Sequence, residues 1–320
     1  MRVALVGLGD AGMHHARALA AAAGVEWTAI CARSTDSVER FARARVAEGG
    51  TVPDSVERVA GLDRLLEADL CDAVILATPD ALHAEQIVAC ASAGVSVLVE
   101  KPLALNVADA RRAVDACRQR GVSLGVGYHL RHHAGHRRVH SQLAALGALK
   151  RIAIRWAWPD PAVDGWRARG ALASTWSLAA LGTHGIDLAM WLAGSSEVVE
   201  HAALLHPSDG VDQASELSFR LGNGVLVHVS ASVTHRAPSI VRITGESGEI
   251  VCERTLGARG GGHISSADTT VEFTPTHPYT EQLEAFARRV ASVHAGSEPD
   301  PEPLAAALAN VALIGEATSR

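Results

Sequence analysis

The chain has 320 residues, enough for two domains, and 48% of them are hydrophobic against 20% charged, a balance typical of a globular protein. The formal net charge of −6 argues against a general nucleic-acid or acidic-membrane binder, because both partners are negatively charged. Five scattered cysteines lack metal-type spacing, and no apolar stretch is long enough to span a membrane. We therefore expect a soluble, cytoplasmic protein.

Short apolar runs alternate with helical patterns over residues 1–125. The runs cover residues 3–6, 25–31, 73–77, 95–99 and 122–126, and helices are predicted over residues 11–23, 36–47, 82–93 and 108–120. Such alternation is typical of βαβ units, whose parallel sheet is buried on both faces. It predicts an α/β, doubly wound N-terminal domain of the Rossmann type.

The pattern changes after residue 148. Strands are predicted over residues 198–205, 214–221, 225–233, 240–245 and 249–253, and helices over residues 136–146, 178–192, 279–294 and 304–318. Consecutive strands with tight turns predict an α+β domain over residues 126–302 with a large, mostly antiparallel open sheet. We expect the helix at about residues 303–320 to pack back on the N-terminal domain. An uncovered apolar sheet face predicts a homodimer or homotetramer.

The first predicted strand runs directly into a glycine-rich turn that opens a helix. Glycines let the backbone approach a pyrophosphate closely, and the helix N-terminus offers it free N–H groups and a positive dipole end. This context predicts a dinucleotide site. Its residues are Gly7, Leu8, Gly9, Asp10, Ala11 and Gly12.

Arg33 and Ser34 follow the second predicted strand, at the place where an acidic residue would bind the adenosine ribose. An arginine fork and a hydroxyl suit a 2′-phosphate, so NADP is favoured and NAD stays possible. Alternatively, Arg33 is a solvated loop residue that stacks on adenine without selecting a cofactor.

An ordered series of short motifs continues along the chain. It comprises Ala77-Thr78-Pro79 with His83, Glu100-Lys101-Pro102, Gly127-Tyr128 with Arg131, Leu181-Gly182-Thr183-His184 with Asp187, Asn223-Gly224, and Tyr279 with Phe286. In this order and spacing the motifs resemble the glucose–fructose oxidoreductase / inositol dehydrogenase (Gfo/Idh/MocA) family over essentially the whole chain. The resemblance implies hydride transfer between nicotinamide and a secondary alcohol or ketone of a sugar, amino sugar or cyclitol.

The resemblance also implies roles for individual residues. Lys101 lies between nicotinamide and substrate, where its ammonium stabilises charge on the reacting oxygen, and His184 is the acid/base that exchanges the proton. Further residues near the cofactor are Thr78, Pro79, His83 and Glu100. Residues expected to contact or shape the substrate site are Tyr128, Arg131, Trp166, Arg167, His184 and Asp187.

Ala180 departs from the family pattern, since many relatives carry an aspartate four residues before the histidine. Three explanations are open. Another group replaces that carboxylate, or the substrate does not require its hydrogen bond, or the reaction is altered, for example to cyclic imine reduction. A cofactor-binding sensor or scaffold without turnover is a further alternative.

His132, His136 and His140 have a helical spacing that suits a metal. The segment lacks acids and contains arginines, so we expect no metal and a cationic, partly exposed helix.

Overall fold

The computed structural model describes residues 1–159, 175–208, 211–267, 269–297 and 302–319. The chain divides into two compact units. The first comprises Met1–Ala104, Ala108–Gly127 and Tyr279–Leu304, and the second comprises Leu105–Val107, Tyr128–Pro278 and Ala305–Arg320. Trp166 and Arg167 lie outside the described residues. Within the described residues, every helix is too short or too polar to cross a membrane.

The first unit contains a six-stranded parallel sheet with the order β3-β2-β1-β4-β5-β6. The strands are β1 (Arg2–Val6), β2 (Glu26–Ala32), β3 (Glu57–Ala60), β4 (Ala73–Leu76), β5 (Ser96–Val99) and β6 (Leu124–Val126). The helices of this unit are α1 (Asp10–Leu19), α2 (Thr35–Ala47), α3 (Leu62–Glu67), α4 (His83–Ser92), α5 (Val107–Arg120) and α8 (Pro278–His294). The strand order reverses between β1 and β4, as it does at a ligand-binding switch point. The predicted doubly wound domain is confirmed.

Strand β3 and helix α3 were not predicted. Glu57 and Arg58 on this edge strand are exposed, so the segment lacks the apolar run by which the other parallel strands are recognised.

The second unit contains an eight-stranded sheet with the order β14-β13-β12-β11-β7-β10-β9-β8. The strands are β7 (Leu149–Ala157), β8 (Val198–Ser208), β9 (Val211–Leu221), β10 (Leu226–Ser232), β11 (Ile240–Gly245), β12 (Gly248–Glu253), β13 (His263–Ser266) and β14 (Thr269–Thr270). The helices are α6 (Ala134–Gln142), α7 (Thr183–Ala193) and α9 (Glu302–Thr318), with a π-helical turn (Leu178–Gly182) before α7. Strands β7 and β10 are parallel, and the other neighbouring pairs are antiparallel. The mostly antiparallel sheet is confirmed, although its central strand β7 was not predicted.

The inner face of the eight-stranded sheet carries the core of the second unit. Ile152 and Ile154 of β7 and Val229 of β10 pack with Ile186 and Met190 of α7 in one buried cluster. Burial of these side chains supplies most of the free energy that holds the helix on the sheet.

The outer face of the sheet differs from the apolar face that was expected. Cross-strand pairing aligns Leu226 with Arg220 and Arg220 with Glu200 in one row, and Arg220 donates to Glu200 at 2.7 Å. His228 Nε2 lies 3.0 Å from Glu216 Oε2, and Arg242 forms an ion pair with Glu249. The face therefore combines these polar side chains with the exposed Leu204 and Leu226.

The last helix also differs from expectation. Residues 305–320 belong to the second unit, and Ala306, Leu313 and Ile314 of α9 join its core cluster. Helix α8 is the C-terminal helix of the first unit instead: it buries Leu283 and Phe286. Each helix therefore belongs to the unit in which its apolar face is buried.

Candidate active site

The glycine turn after β1 is built from main-chain groups. Gly7 has φ +92°, and a Cβ there would lie 2.6 Å from the Thr78 nitrogen and overlap the Ala77 carbonyl. A Cβ on Gly12 would overlap the Gly7 carbonyl. Gly9 is exposed at the N-cap of α1, and a Cβ there would have no atom within 4 Å. The open space beside Gly9 at this helix start fits a pyrophosphate.

The neighbouring residues of the turn complete this surface. Leu8 and Ala11 are partly exposed, and Asp10 is exposed in the first turn of α1.

Arg33 and Ser34 lie at the carboxyl end of β2. Ser34 is the N-cap of α2, where its hydroxyl oxygen accepts from the Ser37 N–H at 3.3 Å. The hydroxyl oxygens of Ser34 and Ser37 lie 3.1 Å apart. Arg33 is exposed, and its guanidinium makes no ion pair with any residue in the described ranges. An exposed guanidinium beside a capped helix start fits a phosphate.

His83 connects the segments that follow β4 and β5. Its Nδ1 lies 2.7 Å from the Pro102 carbonyl oxygen and its Nε2 lies 2.9 Å from the Thr78 carbonyl oxygen. The ring is fully buried. His83 thus fixes the main chain around Thr78, Pro79 and the Lys101-Pro102 pair, and its own ring nitrogens both face main-chain oxygens.

Glu100, directly before Lys101, is bound from two sides. Its Oε1 accepts from His15 Nε2 of α1 at 2.8 Å, and its Oε2 accepts from the Lys101 N–H at 3.2 Å. Tyr279 packs edge-on against His15 at 5.1 Å between ring centroids, and burial together with the Glu100 charge raises the Tyr279 pKa well above its usual value. A Cβ on Gly127 would lie 3.1 Å from Oε1. This buried network holds the main chain of Lys101.

His184 lies near the start of α7 inside a ring of aromatic side chains. The ring centroids of His129, Trp156 and Tyr128 are 4.8, 5.7 and 6.2 Å from that of the imidazole. His184 is only 4% exposed. The imidazole is therefore shielded from bulk water by its aromatic neighbours.

Arg131 and Asp187, both predicted at the substrate site, bind each other. Arg131 donates from Nε and Nη2 to the two carboxylate oxygens at 2.8 and 2.7 Å. The side chains are 11% and 1% exposed. The pair ties the segment after β6 to the helix that carries His184, and its bidentate geometry makes this a rigid connection.

Helix α7 is fixed to the sheet at its beginning. Asp212 of β9 accepts from the N–H groups of Trp176 and Leu178, at 2.6 and 2.9 Å, and from the Ser177 hydroxyl. A Cβ on Gly185 would lie 2.9 Å from Val229, so the glycine after His184 lets the helix backbone approach the sheet closely. Ala180 is partly buried in the π-helical turn, a feature frequent at functional sites.

Helix α6 of the histidine-rich segment is cationic and partly exposed, as predicted, because Arg137, Arg138 and His140 are exposed. Its His136, by contrast, is buried. His136 donates from Nδ1 to the Leu130 carbonyl and its Nε2 accepts from the Thr255 hydroxyl, both at 2.9 Å. Burial and the neighbouring His133 lower the His136 pKa to about 3. Neutral His136 satisfies both partners, so its role is structural. The described residues hold no cluster of metal-ligating side chains.

Sequence reasoning missed His15, Asp212 and Asn310. Asn310 of α9 contacts Thr183, which precedes His184. His15 lies three residues after the glycine turn. Its position on the predicted first helix was a signal in the sequence that could have identified it. Asp212 and Asn310 have no local signal, because their partners are 34 to 127 residues distant.

Comparison with known proteins agrees with this architecture. Residues 1–128 match the oxidoreductase family with an NAD-binding Rossmann fold, and residues 137–251 match the GFO/IDH/MocA C-terminal domain. A dTDP-3,4-didehydro-2,6-dideoxy-α-D-glucose 3-reductase from Streptomyces violaceoruber is 30% identical over 94% of this chain and 88% of its own. A 1,5-anhydro-D-fructose reductase from Ensifer adhaerens is 28% identical over 80% of this chain and 79% of its own.

A solved structure extends the comparison to the cofactor. The 3-ketoreductase KijD10 from Actinomadura kijaniata, in complex with NADP and TDP-benzene, superposes with a TM-score of 0.83 at 26% identity, covering 98% of this chain and 96% of that one. The match of residues 1–128 to an NAD-binding Rossmann family confirms the predicted nicotinamide dinucleotide cofactor. The two family matches and the full-length relatives agree: the chain belongs to the Gfo/Idh/MocA family of NAD(P)-dependent oxidoreductases.

Proposed function

We propose that this protein transfers hydride between NADP(H) and a secondary alcohol or ketone of a sugar, amino sugar or cyclitol. The observation that carries the proposal is the buried imidazole of His184 among three aromatic rings, a setting suited to proton exchange with a sugar hydroxyl. The named relatives, which reduce a dTDP-linked keto sugar and an anhydrofructose, support the substrate class.

Lys101 and His184 perform the chemistry in this proposal. When bound, the nicotinamide supplies or accepts the hydride. In the reducing direction, Lys101 stabilises negative charge developing on the carbonyl oxygen, and that oxygen takes a proton from His184. The glycine turn holds the pyrophosphate, and Thr78, Pro79, His83 and Glu100 shape the nicotinamide side. Tyr128, Arg131 and Asp187 of the second unit are the residues proposed to contact or shape the substrate.

Two substitutions test these roles. Lys101→Met and His184→Asn should each lower kcat for NADPH-dependent reduction of a keto sugar by about a hundredfold or more, while NADP binding stays nearly intact. Lys150→Met, which changes the other lysine of the chain, is the matched control and should retain kcat. Wild-type turnover in both catalytic variants would reject the proposed chemistry. Cofactor binding without turnover of any keto sugar or cyclic imine would favour the sensor or scaffold.

We propose NADP as the preferred cofactor because Arg33 and Ser34 replace a carboxylate. A charge-assisted contact of Arg33 with the 2′-phosphate contributes about 1.5–3 kcal/mol, roughly tenfold to hundredfold in affinity. Arg33→Ala should weaken NADP binding by this factor and leave NAD binding nearly unchanged, as measured by fluorescence titration. Equal weakening of both cofactors would instead mean that Arg33 only stacks on adenine.

Ala180 favours a second candidate, cyclic imine reduction, since an iminium substrate carries its own proton and needs no carboxylate there. Ala180→Asp separates the two. If the substrate is a ketone or alcohol, the restored acid should raise kcat/KM. If the enzyme reduces imines, or the substrate fills this space, the new charge should lower it.

We further propose that the outer face of the eight-stranded sheet forms a homodimer or homotetramer. Leu204 and Leu226 on this face are 61% and 52% exposed, and cross-strand pairing places them on the same side. Light scattering at micromolar concentration should show an oligomer, and Leu226→Arg should dissociate it. A wild-type monomer would contradict this.

We also propose a cytoplasmic location. All five cysteines are free and buried, and burial raises their pKa values, for Cys31 to about 11. Unpaired thiols of this kind are typical of a reducing compartment. Fractionation of the source cells should recover the protein with cytoplasmic markers.

A further inference from the structure

Asn310 of the last helix makes two hydrogen bonds to the residue that precedes His184. Its Nδ2 donates to the Thr183 carbonyl oxygen at 2.8 Å, and its Oδ1 lies 3.1 Å from the Thr183 hydroxyl. A carbonyl only accepts, so the amide nitrogen must face it and Oδ1 must face the hydroxyl. The Thr183 hydroxyl therefore donates to Asn310.

This assignment determines the next hydrogen bond. Tyr128 Oη lies 3.1 Å from Thr183 Oγ1. Because Thr183 has already given its one hydrogen to Asn310, Tyr128 must donate to Thr183. The chain therefore has a single direction, from Tyr128 through Thr183 to Asn310. All three residues are buried, with exposures of 3% or less, so loss of one partner leaves another polar group unsatisfied.

The network surrounds the first turn of α7. Thr183 follows the π-helical turn, where the backbone leaves regular α-helical bonding, and Tyr128 stands edge-on to the His184 ring. Asn310 holds both the main chain and the side chain of Thr183. We propose that Asn310 is a positioning residue, which fixes the start of α7 so that the His184 imidazole keeps its catalytic orientation.

The inference rests on the proposed acid/base role of His184, and Asn310→Leu tests it. This change keeps the side-chain volume and removes both hydrogen bonds. We expect kcat to fall roughly tenfold to a hundredfold, as misplacement of a reacting group does. KM for NADPH should change less than about twofold, so that the loss falls on kcat. Leu313→Ala, a core change on the same helix, is the control for lost stability and should keep kcat.

A double variant distinguishes positioning from general destabilisation. If Asn310 acts through His184, Asn310→Leu added to His184→Asn should cause no further loss of kcat. A multiplicative loss, or a kcat for Asn310→Leu equal to that of Leu313→Ala, would overturn the inference. Wild-type kcat in His184→Asn alone would instead reject the proposed function.

Thr183 supplies an independent route if Asn310→Leu does not fold. Thr183→Val removes the hydroxyl at nearly constant shape, and Thr183→Ser restores it. We expect kcat to fall in the valine variant and to return in the serine variant. Equal kcat values in the two variants would also overturn the inference.

Discussion

The two units build their polar surfaces by opposite means. In the first unit, the surface around Gly7 and Gly9 consists of main-chain atoms, because glycine has no side chain to cover them. In the second unit, the groups around His184 are side chains bound to distant side chains, as in the Arg131–Asp187 pair. A main-chain surface fails when a Cβ intrudes, whereas a side-chain network fails when one partner is removed. The two units should therefore be sensitive to different kinds of substitution.

The largest effect is expected at the Arg131–Asp187 pair. Asp187→Ala removes the carboxylate that binds the almost buried Arg131 guanidinium, which should lower the free energy of unfolding by about 3–5 kcal/mol. Urea denaturation measures the loss. The control is Glu200→Ala, which breaks an exposed pair with Arg220 and should cost less than about 1 kcal/mol. Similar losses for the two variants would contradict the view that the buried network holds the second unit.

A methyl group added to the glycine turn should have different effects on stability and on NADP binding at Gly7 and at Gly9. Gly7→Ala forces a side chain into a left-handed conformation against Ala77 and Thr78, so it should lower the free energy of unfolding by about 3 kcal/mol. Gly9→Ala meets no neighbour and should keep the melting temperature, yet weaken NADP binding because its methyl group occupies the open helix start. A stable Gly7→Ala, or unchanged NADP affinity in Gly9→Ala, would contradict the main-chain site.

The same contrast decides how much was predictable from the sequence. The requirements of the first unit are local: an apolar run, a glycine turn and a helix follow one another within twenty residues, so the parallel domain and its turn were readable. Thr183 and Asn310 are 127 residues apart, and nothing near either residue indicates the other. His184 itself was found through family resemblance, because a histidine in an apolar helix is chemically ambiguous.

His136 shows that a buried histidine can have a structural role and need not be catalytic. Its pKa is lowered from 6.5 to about 3, so folding favours the neutral ring. The unfolded chain binds a proton as the pH falls below 6.5, and stability is lost from there down to about pH 3. At pH 4.5 the loss is about 3 kcal/mol.

Urea denaturation at pH 7.5 and 4.5 measures this contribution. In His136→Gln, the free energy of unfolding should differ less between the two pH values than in the wild-type protein, by about 3 kcal/mol. His140→Gln changes an exposed histidine that stacks on Trp191 and should leave the wild-type difference unchanged. If His136→Gln kept the full difference, the acid sensitivity would belong to other groups.

The smallest effect is expected at Ser34, where a helix cap and the proposed phosphate site share one side chain. Ser34→Ala removes the cap of α2 and should lower the free energy of unfolding by about 1 kcal/mol. Ser34→Asp keeps a capping oxygen, so its stability should remain close to wild type. Its carboxylate should repel a 2′-phosphate and suit a ribose hydroxyl, which moves the preference from NADP toward NAD. Ser34→Asp with wild-type NADP affinity would place the phosphate elsewhere, and the cap would then be the whole role of Ser34.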